Sequence, residues 1–300
     1  MLNKDWKDKF VEETDNDYAI KYFKLISEYE DRKDKDLSSF SIGEIIDFYK
    51  ILSSRSFTFL ANCNYSLVRY TRWCLHNSLV PDGQNHYDEI DDSIIMECLN
   101  HHAIENSIIS YEDLIKQEDI LENVSDACLV QAVFEGVCGV GYAELSNLHI
   151  NQIQGEYLLL NKRKIKASTR LISLMQQSSD TYDGISMNLD GEPQKMTYKE
   201  SDTRVFKDNT KSRMDTDDRR RVRIYRKLLR VQEFLEGSKA FTFGNLRKSG
   251  LLHMIKKFMI EDETSAYDTI LNHREEIENQ YSKIASVKKF VMVYGKYLED

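Results

Sequence analysis

The sequence is poor in proline and glycine and contains no long apolar run. Its 300 residues include two prolines and twelve glycines, which excludes collagen-like and proline-rich low-complexity proteins. No stretch of 18 apolar residues occurs, so no membrane span is expected, and the charged first eight residues lack the apolar centre of a signal peptide. With 41% hydrophobic and 30% charged residues, the chain is predicted to be globular and long enough for about two domains.

Cysteine is also scarce, and the common cofactor motifs are missing. The five cysteines are odd in number, lie among apolar neighbours and form no Cys-x-x-Cys pair, which predicts buried thiols in a reducing cytoplasm. The chain has no phosphate-binding loop, and Gly139-Val140-Gly141 lacks the third glycine of a dinucleotide fingerprint. His101 and His102 have no partners at metal-ligand spacing. We therefore predict no metal and no cofactor.

The net charge of −9 is unevenly distributed along the chain. Residues 82–126 contain 13 acidic residues and a single basic one, Lys116, so this segment carries −12. The rest of the chain is therefore weakly basic, with a net charge of +3. Phosphate binding depends on local basic patches and counterion release rather than on the total charge. An acidic chain of this kind is not excluded from binding nucleic acid.

Basic residues form two clusters that contain no acid. Residues 161–179 include Lys162, Arg163, Lys164, Lys166 and Arg170. Residues 219–230 include Arg219, Arg220, Arg221, Arg223, Arg226, Lys227 and Arg230. Most charge runs are solvated helix faces, but two such clusters in an acidic protein make phosphate binding an equal alternative.

Hydrophobic periodicity predicts helices along most of the chain. Two helix starts carry specific signals. Ser41 precedes Glu44 by three residues, as in a capping box, and Ser110 is followed by acids in the first helical turn. Apolar residues at helical spacing predict further helices over residues 14–35, 62–79, 92–100, 126–138, 143–148, 217–235, 246–260, 264–271, 275–284 and 287–298.

A short β pair interrupts the helices in the second half. Residues 157–160 and 168–174 are predicted strands, and the first basic cluster is placed on the turn between them. Residues 176–217 are polar and receive no assignment. The fold class is therefore mainly α with a small β hairpin.

The order of elements predicts two domains. We place the boundary near residues 104–109, just before the helix start at Ser110. The first domain, residues 1–105, is helical, with a turn expected at Pro81-Asp82-Gly83. The second domain, residues 108–300, combines helices with the hairpin.

Motifs in the second domain resemble those of the tyrosine recombinases, or phage integrases. The run Glu135–Leu148 resembles T-G-L-R-I-S-E-L-x-x-L, with Gly141 at the position of the first catalytic arginine. Gly244-Asn245-Leu246-Arg247-Lys248-Ser249 resembles H-x-L-R-H-T, with Arg247 at the second arginine and Gly244 in place of histidine. Leu271-Asn272-His273 resembles L-G-H, and Tyr281 follows at nearly the spacing of the nucleophile.

The resemblance implies a two-domain recombinase fold, with a helical core-binding domain and a catalytic-type domain whose site is disabled. Cleavage needs a phenol with a pKa of about 10 to attack a phosphodiester, and two arginines to stabilise the developing charge. The positions Gly141, Gly244, Arg247, His273 and Tyr281 are therefore expected to be vestigial. More narrowly, the chain is similar to the integrase-fold repressors of SPβ-type Bacillus phages, which keep the lytic programme off without recombinase chemistry.

The resemblance also implies a C-shaped clamp around duplex DNA. Arg69 and Arg72, three residues apart on one predicted helix, share a face. One of the three hairpin lysines corresponds to the lysine by which the family contacts DNA. The expected DNA-binding residues are Arg55, Arg69, Arg72, Lys162, Arg163, Lys164, Lys166, Arg219, Arg220, Arg223, Arg247 and Lys248.

The sequence therefore predicts a cytoplasmic, sequence-specific double-stranded DNA-binding phage repressor without enzymatic activity. The first alternative is an active recombinase in which Arg163 or Arg170 replaces the missing arginine. The second is a helical interaction protein that binds no DNA. An apolar stripe on the last helix either packs on its own domain or mediates self-association through residues 286–300, and a regulatory peptide or protein is a further possible partner.

Overall fold

The computed structural model describes residues 1–80, 83–187, 193–210, 216–235, 237–281 and 283–299. Helices predominate, as predicted, and the chain forms two compact units, residues 1–104 and 105–300. Pro81 and Asp82 of the predicted turn lie outside the described residues. In the described part of the chain, no helix is long and apolar enough to cross a membrane.

The first unit consists of helices joined by short 3₁₀ segments. Its helices are α1 (Lys4–Thr14), α2 (Tyr18–Lys33), α3 (Ile42–Ile51), α4 (Phe57–His76), α5 (Asp92–Glu97) and α6 (His101–Glu105). The capping box at the start of α3 is confirmed, because the Ser41 side chain accepts a hydrogen bond from the Glu44 amide and the Glu44 carboxylate accepts one from the Ser41 amide. Helix α1 was not expected from the sequence.

Aromatic rings fill the interior between α1, α2 and α4. Phe10, Phe23 and Tyr70 are buried, and their ring centroids lie 5.0 to 6.1 Å apart in edge-to-face pairs. Such pairs add about 0.5 to 1.5 kcal/mol beyond the burial of their apolar area. The rings fix α1 against the rest of the unit, which places the first turns of α1 and the end of α2 around a buried ion pair.

This buried ion pair joins Lys7 of α1 to two carboxylates. The Lys7 ammonium lies 2.6 Å from Glu30 and 3.3 Å from Asp36, and the side chains of Lys7 and Glu30 are 1% and 0% exposed. Burial raises the pKa of Glu30, although hydrogen bonding to Lys7 opposes the shift. Charges removed from water in this way are tolerated only while their partners remain in place.

Replacing Lys7 with alanine should lower the free energy of unfolding by about 3 to 5 kcal/mol, because two buried carboxylates lose their cation. Lys9→Ala is the matched control on the same helix, since Lys9 pairs with Glu13 at 3.7 Å on the exposed surface. Its effect should stay below about 0.5 kcal/mol. Urea unfolding of both variants measures the difference, and equal small losses would contradict the assigned role of Lys7.

The second unit is built around a helix that is buried on every side. Its helices are α7 (Tyr111–Asp119), α8 (Val124–Phe134), α9 (Ala143–Ser146), α10 (Thr169–Asp180), α11 (Asp217–Phe234), α12 (Phe243–Asp262), α13 (Ala266–Asn272), α14 (Arg274–Gln280), α15 (Val287–Tyr294) and α16 (Lys296–Glu299). Helix α8 is mostly apolar, and α7, α10, α11 and α12 pack against it.

Two small antiparallel sheets accompany these helices. The first contains β1 (Ile153–Gln154), β2 (Tyr157–Leu160) and β3 (Arg163–Lys166), in that order. The second pairs β4 (Asp183–Met187) with β5 (Pro193–Thr197), in the polar segment that the sequence left unassigned. In the first sheet Leu158 lies opposite Ile165, and both are buried.

The strand predicted over residues 168–174 is wrong, because these residues begin α10. The Ser168 side chain caps this helix by accepting a hydrogen bond from the Leu171 amide at 3.0 Å. Leu171, Met175 and Ser178 are buried at helical spacing. The second strand is instead β3, so the first basic cluster lies largely on a strand rather than on the turn.

The apolar stripe of the last helices packs within the second unit. Val287, Phe290, Val291 and Tyr294 contact a cluster that includes Leu252 of α12, and α16 contacts α12 as well. The helix predicted over residues 287–298 is divided in two, since α15 ends at Tyr294 and α16 begins at Lys296. The structure thus accounts for the stripe without a second copy of the chain.

Candidate nucleic-acid interface

The segment that resembles the first catalytic motif forms a turn between α8 and α9 with an unusual backbone. Gly139 and Gly141 have φ values of 71° and 57°, and Tyr142, which is not glycine, has a φ of 66°. Val140 between the two glycines is 92% exposed, so the turn reaches the surface. An arginine at position 141 would pay roughly 1 to 2 kcal/mol for this left-handed conformation. The backbone itself therefore disfavours the family's first arginine here.

Arg163 of β3 is held inside the fold by five hydrogen bonds. Its Nε and Nη2 atoms bind the two oxygens of Glu144 at 2.8 and 2.5 Å. The same guanidinium donates to the carbonyl oxygens of Gly136, Asn279 and Gln280 at 2.6 to 2.8 Å. Arg163 therefore joins β3 to α9, to the turn after α8 and to the end of α14.

These bonds remove Arg163 from the candidate DNA contacts. Its side chain is 17% exposed, and all of its donor nitrogens are used within the protein. Arg170, the other proposed replacement for the missing catalytic arginine, is bound by Glu118 and Asp119 at 2.7 Å each. Neither arginine is placed to serve a reacting phosphate.

Tyr281 is buried beneath the turn rather than displayed at its surface. It is 6% exposed, and its hydroxyl donates to the carbonyl oxygen of Phe134 at 2.9 Å. Burial raises the pKa of this phenol well above its usual value. Gly250 lets α12 approach at this point, because a Cβ there would lie 1.7 Å from the Phe134 oxygen and 2.7 Å from the Tyr281 hydroxyl. The hydroxyl is a packing and hydrogen-bonding group in this structure.

Arg247 lies near this tyrosine, on the first turns of α12. Its positive charge lowers the pKa of Cys138 and of Tyr281, against the larger effect of burial on each. Its Nε atom is buried and has no hydrogen-bond partner in the described part of the chain. Gly244, one turn earlier, is exposed, and a Cβ there would meet no atom within 4 Å. The surface in front of Gly244 is open.

His273 is not brought to this site. It accepts or donates a hydrogen bond at 2.6 Å with Asp262 and stacks on Phe258 at 4.0 Å between ring centroids. Asp262 is fifteen residues beyond Arg247 on α12, about 22 Å along the helix axis. The L-G-H resemblance therefore does not correspond to a shared site with Arg247.

The hairpin lysines are exposed. Lys162 is exposed on the turn between β2 and β3. Lys164 lies 3.9 Å from the centre of the Tyr157 ring, and Lys166 pairs loosely with Glu156 at 3.5 Å. Because side chains alternate along β3, Lys164 and Lys166 face outward while Arg163 and Ile165 face the interior.

The arginines of α11 differ in their exposure and in their ion pairs. Arg219 is exposed, whereas Arg220 forms an ion pair with Asp217 and Arg223 binds Asp208 at 2.6 Å. Lys248 on α12 lies 5.0 Å from the centre of the Tyr294 ring.

Sequence reasoning missed Arg221, which approaches the turn. Its Nη1 atom lies 3.8 Å from the place where a Cβ of residue 141 would stand. The basic cluster contained Arg221, but nothing in its spacing distinguished it from its neighbours.

The predicted contacts of the first unit are on the surface. Arg55 is exposed, Arg69 lies 5.9 Å from the centre of the Tyr65 ring, and Arg72 pairs with Asp88 at 2.6 Å. The Arg72 side chain is well exposed, and such surface pairs contribute little. Arg69 and Arg72 both lie on α4, as predicted.

All five cysteines are free and buried, as the sequence predicted. Burial raises the thiol pKa of Cys63 to about 12, which makes this group unreactive at neutral pH. Among the described residues, no group of three or more histidine, cysteine or acidic side chains is arranged to hold a metal ion.

Comparison with known proteins identifies the family. Residues 108–293 match the family model described as MrpR, C-terminal catalytic domain, and residues 1–76 match MrpR, N-terminal core-binding domain. This chain belongs to the MrpR family. The matches confirm the resemblance to the tyrosine recombinases and the arrangement of a core-binding domain followed by a catalytic-type domain.

A relative within the curated proteins agrees with this assignment. The SPbeta prophage-derived uncharacterized protein YopR of Bacillus subtilis strain 168 is 20% identical over 310 aligned residues. The alignment covers 97% of this chain and 94% of that protein. The MrpR family chain is therefore similar to a prophage protein over nearly its full length.

Replacing Tyr281 with phenylalanine should lower the free energy of unfolding by about 1 to 2 kcal/mol, because the Phe134 carbonyl loses a buried donor. Duplex DNA binding should persist. Tyr267→Phe is the control, since that ring is exposed, and it should be neutral. Thermal unfolding and a gel shift on the same preparations measure both effects. Loss of DNA binding by a folded Tyr281→Phe protein would assign the hydroxyl a different role.

Arg163→Ala should destabilise the second unit by about 3 to 5 kcal/mol, because Glu144 and three carbonyls lose their donor. Lys164→Ala removes the neighbouring exposed cation and should leave the unfolding midpoint almost unchanged. Guanidinium unfolding followed by circular dichroism compares them. Equal unfolding midpoints for the two variants would refute the conclusion that the Arg163 hydrogen bonds stabilise the second unit.

Proposed function

We propose that this protein is a sequence-specific, double-stranded DNA-binding phage repressor that uses a recombinase fold without cleaving DNA. The main support for the absence of cleavage is that the Tyr281 hydroxyl is buried and donates a hydrogen bond to the carbonyl oxygen of Phe134. A nucleophile must reach the phosphorus, and this phenol is enclosed by α8 and α12.

The energetics of the site support the same proposal. Gly141 and Gly244 supply no side chain at the positions of the first arginine and the histidine. Losing one charged donor from such a site typically lowers the rate by about 10² to 10³, and losing a general acid by a further 10² or more. Raising the phenol pKa by burial also leaves less of the reactive phenolate at neutral pH. Each of these effects acts against cleavage.

Charge placement supports DNA as the partner. Lys162, Lys164 and Arg219 are exposed on the second unit, and Arg55 is exposed on the first. These positions lie outside the acidic segment of residues 82–126. A basic surface of this kind binds the phosphate backbone even when the whole chain is acidic. Repression in the bacterial cytoplasm is the role that this binding would serve in a prophage.

The alternative of an active recombinase keeps one observation in its favour. Arg221 lies beside Gly141, so a guanidinium is present near the turn even though residue 141 carries none. The alternative requires that DNA binding draws Tyr281 out of the interior. A test for a covalent protein–DNA product therefore decides between this alternative and the proposal.

The test of binding is a titration of duplex fragments tiled across the genome that carries the gene. One fragment should bind far more tightly than the others. If the protein contacts about six phosphates, a plot of the logarithm of the binding constant against the logarithm of the salt concentration should have a slope near −5. Lys162→Ala should reduce this slope by about one, whereas Lys116→Ala, within the acidic segment, should not. Absence of binding at 100 mM salt would refute the proposal.

The test of cleavage uses the fragment that binds, nicked to trap a covalent intermediate. No protein–DNA adduct should appear on a denaturing gel. An adduct that Tyr281→Phe abolishes would establish the recombinase alternative instead.

A further inference from the structure

A cavity in the second unit lies between α11 and residues 198–209, the wall segment. Its volume is about 480 Å³, within the range of about 300 to 1,000 Å³ that small-molecule sites occupy. Buried serines of α8, α9 and α10 contribute to its lining, together with side chains of α11. The lining includes neither Gly141 nor Arg247 nor Tyr281, so the cavity is separate from the motif turn.

The wall segment is fixed to the helices around the cavity. The Ser178 hydroxyl of α10 donates to the Val205 carbonyl oxygen at 2.7 Å, and the Val205 amide donates to the Leu148 carbonyl oxygen at 2.8 Å. Asp208, which is 3% exposed, pairs with Arg223 of α11 at 2.6 Å. A cavity with walls held in this way is formed before a ligand enters, so binding has little ordering cost.

Part of the cavity surface is apolar. Val205, Phe206 and Ile224 line it and are buried, and Met196 and Leu229 add further apolar surface. A ligand gains about 25 cal/mol for each Å² of apolar area that it removes from water. The cavity therefore favours a ligand with an apolar body.

Cations outnumber carboxylates around this apolar surface. The two acids of the lining are Asp208 and Glu233, and its six basic residues are Lys207, Arg220, Arg223, Arg226, Lys227 and Arg230. Just outside the lining, Asp126 pairs with Lys227 and Asp217 pairs with Arg220. Even with these two acids included, six cations face four carboxylates. The excess of positive charge favours an anion.

The exposed cations lie beside the apolar surface. Arg226 and Arg230 are exposed and four residues apart on α11, so they share a face of the helix. Leu229, which is 37% exposed, lies next to Arg230 in the chain and lines the same cavity. Guanidinium groups bind carboxylates, sulfonates and phosphates through paired hydrogen bonds. A ligand can therefore place its apolar body inside and its charged group towards solvent.

We infer that this cavity binds a small organic anion, with its charged group on Arg226 and Arg230 and its apolar body against Phe206 and Ile224. No step of this inference requires DNA. A consequence for regulation does rest on the proposed function, because Arg220 and Arg223 belong both to the cavity and to the predicted DNA contacts. Under that function, the bound anion weakens DNA binding.

The first experiment is a fluorescence titration of the full chain with two matched probes. One probe, 8-anilinonaphthalene-1-sulfonate, carries a sulfonate, whereas N-phenyl-1-naphthylamine has the same rings without the charge. The anionic probe should bind at one site and about tenfold more tightly than the neutral probe, because charged hydrogen bonds contribute about 1.5 to 3 kcal/mol. Equal affinities for the two probes, or no saturable binding of the anionic probe, would overturn the inference.

Two pairs of variants locate the site. Arg226→Ala should weaken binding of the anionic probe about fivefold and leave the neutral probe unaffected, because it removes a charged donor. Arg219→Ala is the control, since Arg219 is exposed on the same helix and outside the lining. Leu229→Trp should exclude both probes by filling the cavity, whereas Leu271→Trp, at an exposed position of α13, should exclude neither.

Each variant is compared only if its melting temperature equals that of the wild-type chain. The same loss for Arg226→Ala and Arg219→Ala, or wild-type affinity for both probes in Leu229→Trp, would overturn the assignment of the cavity.

The second experiment separates this inference from the proposed function. A gel shift on the duplex fragment that binds, with the anionic probe at saturation, should show several-fold weaker DNA binding for the wild-type chain and no change for Leu229→Trp. Equal effects on both proteins would overturn the regulatory consequence. If the wild-type chain binds no duplex DNA, the proposed function fails, and the fluorescence titration alone decides whether the cavity binds an anion.

Discussion

The arrangement of the second unit depends on the guanidinium of Arg163. Its bonds to Glu144, Gly136, Asn279 and Gln280 tie together segments that lie up to 117 residues apart in the chain. Because the ion pair is largely shielded from water, it holds only while all of its partners are in place. The interaction fixes the end of α14 against the turn after α8, and this contact determines where Tyr281 can lie.

As a consequence, side chains near the position of the recombinase site stabilise the fold instead of taking part in a reaction. With α14 fixed, the residue that follows it enters the interior and donates to Phe134. The Glu144 carboxylate of α9 is used by Arg163, and the backbone at Gly141 favours a residue without a side chain. Under the proposed function, the chain binds DNA without the groups that cleavage requires.

The sequence predicted what is encoded locally. The capping box at Ser41, the helix starting at Ser110 and the course of α11 follow from caps and periodicity over a few residues. Residues 168–174 were misread because Leu171 and Ile172 favour strand or helix equally, and the Ser168 cap went unused. The role of Arg163 was not predictable, because its partners come from three separate parts of the chain. Arg221 was missed for the same reason, since only the folded chain brings α11 beside Gly141.

The central claim is that Tyr281 stays in the interior when DNA is bound. A structure of the protein on its duplex site tests this most directly. The account predicts that the Tyr281 hydroxyl remains about 2.9 Å from the Phe134 oxygen, as in the free chain. A Tyr281 hydroxyl moved out to within about 3.5 Å of a phosphorus, the separation of a near-attack geometry, would contradict it.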